Sequence, residues 1–221
     1  MLYIILAPGR WSREIVQYVN KSVLIESGWD LSIGNLKGQL TSDIYLENVY
    51  LRNRDRSIIF FCETGNLNLD FTQIASGNWA LSKLSLNNML VTLRETEQPA
   101  NFSLDFTEKL ARKGLRVKTF AVNRSSILIK DGLTEKLYSF DVAGRLRSND
   151  DMVAIMIDSS AFQDFQTGTE VTISAGEARV GAAVAEASGM TGMIVCPKEV
   201  NELAGPYQVF SQRSQRFIPQ F

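Results

Sequence analysis

A three-part pattern of apolar and polar residues recurs along this chain. Each copy has an apolar–polar–apolar step, then a polar pair that holds Asn, then a second apolar step. The copies occupy residues 44–51, 84–93 and 120–129, so they begin 40 and then 36 residues apart. Alternation with a period of two predicts β-strands, and repetition at this spacing is typical of one supersecondary unit stacked several times.

Ahead of the first copy, the period changes to that of a helix. Trp11, Ile15, Val19 and Val23 repeat at four-residue steps, and Gly28 ends the run. The pattern predicts a helix over residues 11–26, within a capping segment 11–27. Its polar face has little excess positive charge, which favours a helix packed on a sheet over one lying on a membrane surface.

The region 29–177 reads as a succession of short antiparallel strands separated by polar turns. Residues 53–56 and 130–132 are the clearest turn signals, and Phe71 is expected to continue the face of Leu67 and Leu69. Residues 94–114 are less regular, with a short helix or an insertion at 103–113. The predicted architecture is mainly β: an N-terminal helix, then an elongated, curled antiparallel sheet that forms an open groove of repeated strands.

The two ends of the chain differ from this region. Residues 1–8 are apolar but far shorter than the roughly 20 residues that span a bilayer. Residues 1–10 are therefore either an ordinary first strand or the remnant of a membrane anchor, with Arg10, Trp11 and Arg13 at the lipid headgroups in the second case. Residues 178–221 form an undetermined tail, in which 181–188 could be a helix.

Composition narrows the chemistry. The net charge is −1, which argues against a nucleic-acid partner. Histidine is absent, so Ser-His-Asp and Cys-His catalysis and His-ligated zinc are excluded. The two cysteines, Cys62 and Cys196, could pair or remain buried thiols. Since no catalytic, metal or cofactor motif is present, we expect no enzyme, no metal and no cofactor, and function should reside in a surface.

The Asn residues of the repeat, Asn48, Asn88 and Asn123, have a structural interpretation. Asn is unfavourable inside a strand and often marks a bulge or bend, so we expect bends at these positions. The apolar steps have two interpretations. They form either the core of a sheet folded on itself or an apolar surface left open for a partner or lipid.

The opening of the chain resembles the AsmA-like and TamB-like proteins. The resemblance rests on an apolar start followed by a helix, then Leu31-Ser32-Ile33-Gly34-Asn35-Leu36-Lys37-Gly38, then Ile44-Tyr45-Leu46-Glu47-Asn48-Val49-Tyr50-Leu51. Leu67-Asn68-Leu69-Asp70 and the copy at 84–93 match the continuation. The match covers about residues 1–135, residues 138–175 are compatible with it, and 178–221 depart from it.

This resemblance implies a protein anchored in the bacterial inner membrane that faces the periplasm. It implies the membrane-proximal part of an apolar β-groove that carries phospholipid or assists outer-membrane protein assembly, with an outer-membrane assembly protein as a further partner. The groove candidates are one alternating set of positions: Ile44, Leu46, Leu84, Leu86, Phe120 and Val122. The alternative is a structural or adhesive β-domain with a closed core and no lipid.

Overall fold

The computed structural model describes residues 12–24, 28–39, 43–94, 111–112, 114–149, 152–180, 185–195, 207–209 and 215–217. Two helices lie within these ranges: α1 (Ser12–Val19), which a π-helical turn (Asn20–Leu24) extends, and α2 (Phe71–Ala75). The strands are β1 (Trp29–Gly38), β2 (Asp43–Asn53), β3 (Ile58–Leu69), β4 (Ala80–Arg94), β5 (Arg116–Asp131), β6 (Thr134–Asn149), β7 (Met152–Asp164), β8 (Glu170–Val180), β9 (Ala185–Val195), β10 (Tyr207–Val209) and β11 (Gln215–Phe217).

The strands form one sheet, so the prediction of a mainly β protein is confirmed. Strands β1 to β9 pair in sequence order, and the three-residue strands β10 and β11 both pair with β9. The sheet does not close into a barrel. Most of its strands are longer than the short segments predicted, because β4 to β7 run for 13 to 16 residues each.

One pair of strands contradicts the prediction of a purely antiparallel sheet. Strands β4 and β5 are parallel, with Leu84 opposite Phe120 and Leu86 opposite Val122. A parallel pair needs a connection of a dozen or more residues, and the segment 95–115 is long enough for the chain to return to the same end of the sheet. The second and third copies of the repeat therefore lie side by side and point the same way.

Three local predictions also need correction. Phe71 does not continue the face of Leu67 and Leu69, because Asp70 caps α2 by accepting from the Gln73 backbone N–H and so turns the chain into a helix. Residues 185–188 are strand, since pairing with β8 overrides the helix preference of this Ala-rich stretch. The strand region continues past residue 177, through β8 and β9. The expected helix over 103–113 lies mostly outside the described residues.

Asp70 also ties the β3–β4 connection to β5. The Lys118 ammonium lies 2.8 Å from the Asp70 carboxylate, and Thr72 Oγ1 donates a hydrogen bond of 2.6 Å to it. These two contacts, with Lys118 the larger effect, lower the pKa of Asp70 from 3.8 to about 2. Because Lys118 stands near the start of β5, this ion pair fixes where the parallel strand begins.

Helix α1 and its π-helical turn lie against β1, at one edge of the sheet. The Asn20 side chain accepts from the Leu31 backbone N–H (2.8 Å) and donates to the Leu31 carbonyl (2.9 Å). It thereby takes the place of a neighbouring strand at this point of the edge, a protection against pairing with other chains. Leu24, at the end of the π-helical turn, packs with Trp29 and Ile58 in a buried cluster.

Candidate functional surface

The six groove candidates share one face of the sheet. Residues directly opposite each other on paired strands point to the same side, so cross-strand partners define a row on one face. One row runs through Ile44, Leu67, Leu84 and Phe120. A second runs through Leu46, Gly65, Leu86 and Val122. The structure therefore brings the candidates together as two adjacent rows across β2 to β5.

The second row continues over the later strands, whereas the first passes from Phe120 to Gly144 in β6 and Ile157 in β7. Val122 is opposite Val142, and Ser160 and Ile173 extend that row across β7 and β8. A parallel row joins Phe140, Phe162, Val171 and Ile194. We call this side of the sheet, from Leu36 in β1 to Ile194 in β9, the apolar face. The second row lacks a large apolar side chain at three positions, Gly65, Ser160 and Gly192.

The six groove candidates differ in how far they are exposed to solvent. Ile44, Leu46, Phe120 and Val122 are buried, with at most 9% of each residue exposed, whereas Leu84 and Leu86 are half-buried. The buried members pack into two clusters of the apolar face, one around Leu36 and one that includes Val117. Contact with a ligand is thus open to Leu84, Leu86 and the half-buried residues of β6 to β8, while the other four stabilise the sheet.

A residue with left-handed backbone in each copy of the repeat interrupts the strand alternation. Leu46 and Val49 are three positions apart, so regular alternation would place them on opposite sides. They nevertheless pack in the same cluster, because Asn48 adopts a positive φ of 54° and breaks the alternation without shifting the register with β1 or β3. Asn88 does the same between Leu86 and Met89. The predicted bends at Asn48 and Asn88 are confirmed.

The third copy departs from the prediction. Its left-handed residue is Arg124, with φ 51°, and not the neighbouring Asn123. Arg lacks the short polar side chain that makes this conformation easy for Asn, so other contacts must hold the backbone. The Arg124 backbone N–H donates to the Asp141 carboxylate, while the Asn123 amide donates to Asn87 Oδ1 at 3.1 Å. Polar side chains thus lie at all three left-handed positions of the repeat.

Ser125 is the residue that sequence reasoning missed. It occupies the position of Val49 and Met89 in the other copies, yet it is fully buried, with 0% of its surface exposed. Its hydroxyl accepts from the Met89 backbone N–H at 3.1 Å and donates to the Asn123 carbonyl at 3.0 Å. A Ser where the other copies have an apolar residue is the only sequence signal for this role.

The opposite face of the sheet mixes charged residues with exposed aromatic side chains such as Tyr45 and Tyr50. Ion pairs join neighbouring strands there: Lys37 with Glu47 at 2.7 Å and Arg145 with Asp158 at 3.0 Å. The Lys37 ammonium lowers the pKa of Glu47, with a smaller effect from Asn35. The two faces therefore differ as expected for a sheet with one solvated side.

A trough of about 830 Å³ lies across β5 to β9. Most of its lining side chains are small or hydroxyl-bearing and belong to the face opposite the apolar face. Ser174 and Thr191 hydrogen-bond each other across it at 3.2 Å. The lining consists of Asn123, Asp141, Ala143, Ser159, Ala161, Thr172, Ser174, Thr191 and Met193 on this side, together with Val142, Ser160, Ile173 and Gly192 of the second apolar row. This trough therefore lies mainly on the side opposite the predicted groove.

The membrane-interface candidates are only partly described. Arg10 and Trp11 lie outside the described residues, as do residues 1–8, and Arg13 is exposed on α1. Among the described helices, none has the length and apolar character needed to cross a bilayer.

Reactive and metal-binding groups are few. The Cys62 thiol is free and buried, and burial raises its pKa, whereas Cys196 lies outside the described residues. Within the described ranges, His, Cys, Asp and Glu side chains form no cluster able to hold a metal ion.

Comparison with known proteins does not assign this chain to a family. No family model matches the chain, and no curated protein matches it.

Proposed function

We propose that this chain carries phospholipid acyl chains along the apolar face of its sheet. In this proposal it is the membrane-proximal part of a protein anchored in the bacterial inner membrane and facing the periplasm, where it carries phospholipid or assists outer-membrane protein assembly. One observation carries the proposal: apolar rows run across β1 to β9 on a sheet that is not closed. Shielding an acyl chain from water is worth about 0.8 kcal/mol per CH₂, so a continuous apolar surface lowers the barrier to its movement.

We place the contact with the lipid acyl chain on the half-buried residues of the apolar face. Leu84 and Leu86 in β4, and Ile155 and Phe162 in β7, combine apolar side chains with partial exposure. Their strand neighbours Ser85 and Met156 are half-buried as well but point to the opposite face. This pairing of matched positions on the two faces gives each test position a control at the same level of its strand.

Photo-crosslinking at these positions tests the proposal. A photoreactive amino acid replaces Leu86 or Ile155, and the controls carry it at Ser85 or Met156. After expression in bacteria and irradiation, we expect phospholipid attached to the first pair, detected by mass spectrometry, and much less on the second. Equal labelling of both faces, or no lipid on any of the four, would refute lipid carriage by this face. An outer-membrane protein crosslinked at the same positions would favour the assembly role.

A structural β-domain without lipid is the second candidate, and one observation favours it. Ile44, Leu46, Phe120 and Val122 are already buried within the chain, as in a sealed core. On this interpretation the purified chain contains no phospholipid, and adding a fluorescent phospholipid produces no saturable binding. Saturable binding that is lost when bulk is added at Leu86 but not at Ser85 would exclude it.

A further inference from the structure

One end of the sheet exposes large apolar side chains at its turns. We call this end the upper rim: it is where β1 begins and where the turns 54–57, 132–133 and 165–169 lie. Leu133, in the β5–β6 turn, is 104% exposed, and Phe165, in the β7–β8 turn, is 56% exposed. Turns are normally polar, so large apolar side chains at two neighbouring hairpin turns are unusual and point to a surface that leaves water.

The two tips form one ridge. The Gln166 side chain donates to the Glu135 carbonyl at 3.0 Å, and the Phe165 backbone N–H donates to the Leu137 carbonyl at 3.4 Å. Leu137 is itself exposed. Phe165 is level with Leu137, and Leu133 stands four residues farther out, about 13 Å along the strand direction, so the two tips follow one another along the edge of adjacent hairpins. We call Leu133, Leu137 and Phe165 the rim ridge.

The backbone of the ridge is already hydrogen-bonded. In the β7–β8 turn the Gly168 N–H donates to the Asp164 carbonyl at 2.8 Å, and the Gln166 N–H donates to the Asp164 carboxylate at 2.8 Å. The hydrogen bond from the Gln166 N–H, with smaller effects from Thr167, lowers the pKa of Asp164. A turn whose polar backbone groups are satisfied loses less on leaving water, which favours entry into a lipid interface.

Basic groups stand on the same rim. Arg54 and Arg56 are exposed in the β2–β3 turn, and Arg94 is exposed at the end of β4. Asp55, between the first two, is also exposed, and its carboxylate accepts from the Ser57 N–H at 3.0 Å and the Ser57 hydroxyl at 2.8 Å, so the two arginines leave this turn with an excess of positive charge. Around the ridge itself, acids and lysines are mixed. We therefore assign the binding of lipid phosphate groups to these arginines.

From these observations we infer that the upper rim binds a phospholipid bilayer surface, with Leu133 and Phe165 entering the interface and Arg54 and Arg56 contacting phosphates. Protruding apolar tips enter a bilayer without a shaped partner, whereas a protein partner would need a pocket for each tip. This inference does not depend on the apolar face carrying lipid, because the rim ridge and the apolar rows involve different residues.

Vesicle flotation tests the inference with the full chain. Vesicles of phosphatidylcholine, with and without phosphatidylglycerol, are incubated with the parent protein, with the double variant Leu133→Ser/Phe165→Ser, and with Phe71→Ser. Phe71 is the matched control, since it is 43% exposed at the other end of the sheet. Loss of each buried large apolar side chain is worth about a tenfold weaker partition, so we expect about a hundredfold loss for the double variant. We expect none for Phe71→Ser.

Two further measurements keep the outcome decisive. Arg54→Gln/Arg56→Gln should weaken flotation with vesicles that contain phosphatidylglycerol and have less effect without it. Phe165→Trp should show a blue shift of its fluorescence on vesicle binding, and Phe71→Trp should not. Absence of parent flotation, equal flotation of the ridge double variant, or an equal loss in Phe71→Ser would each overturn the inference. Binding of the ridge to a protein instead of vesicles would overturn it as well.

Discussion

Replacing Ser125 by Ala tests whether the Ser125 hydroxyl stabilises the strand pairing next to the left-handed residues. At this point the β4–β5 pairing passes from Asn87–Asn123 directly to Leu90–Ser126, so the Met89 N–H has no partner in the regular ladder. Ser125 Oγ accepts from it at 3.1 Å, in a site with no solvent exposure. In Ser125→Ala that N–H is left buried and unsatisfied, which costs about 1–3 kcal/mol.

Urea unfolding followed by circular dichroism measures this cost. We expect the midpoint to fall with an unchanged slope, because the surface exposed on unfolding stays the same. In a thermal scan the same loss corresponds to about 2–4 °C per kcal/mol for a chain of this size. Ser126→Ala is the matched control, a half-buried neighbour facing the other side, and should change stability by less than about 0.5 kcal/mol. If Ser125→Ala is as stable as this control, the hydroxyl does not satisfy the Met89 N–H.

Three other predictions follow from single contacts. Asn88→Val should destabilise by about 1–2 kcal/mol in urea, because a β-branched residue resists the positive φ there, whereas Asn88→Gly should cost less; equal losses would contradict this. Asp70 has a folded pKa of about 2, so the stability that its ionised carboxylate contributes is present above its ordinary pKa of 3.8 and is lost as the pH falls towards 2. Replacing Lys118 by Met should therefore flatten the fall of the urea midpoint between about pH 4 and pH 2. A fall as steep as in the parent protein would refute this prediction. Asn20→Ala should lower the unfolding free energy by about 1–2 kcal/mol, because it leaves the Leu31 backbone groups at the edge of β1 without their partner. The exposed edge should also promote aggregation, measured by light scattering. Unchanged stability and scattering would show that the Asn20 side chain does not protect this edge.

Much of the fold could be predicted from alternation alone. The positions of the three repeat copies, the turns at 53–56 and 130–132, and bends at Asn48 and Asn88 all follow from local sequence. Asn tolerates a positive φ better than other residues with a side chain, so its place between two apolar steps carries a physical signal. Arg124 carries none, because its conformation depends on Asp141, a residue on another strand. Ser125 likewise depends on the Met89 N–H of the neighbouring strand.

The sequence by itself determined that one side of each repeat strand is apolar. Two apolar residues before the polar pair and two after it belong to one face only if one residue of the pair breaks the alternation, and Asn, which tolerates a positive φ, does so in the first two copies. Tertiary structure alone decided which strands meet. The parallel pairing of β4 with β5 needs a return of the chain that local alternation does not encode, and Asp70 with Lys118 fixes its start. It also decided which apolar residues remain accessible, since burial depends on neighbours distant in sequence: Leu86 is half-buried, while Val122 beside it is buried.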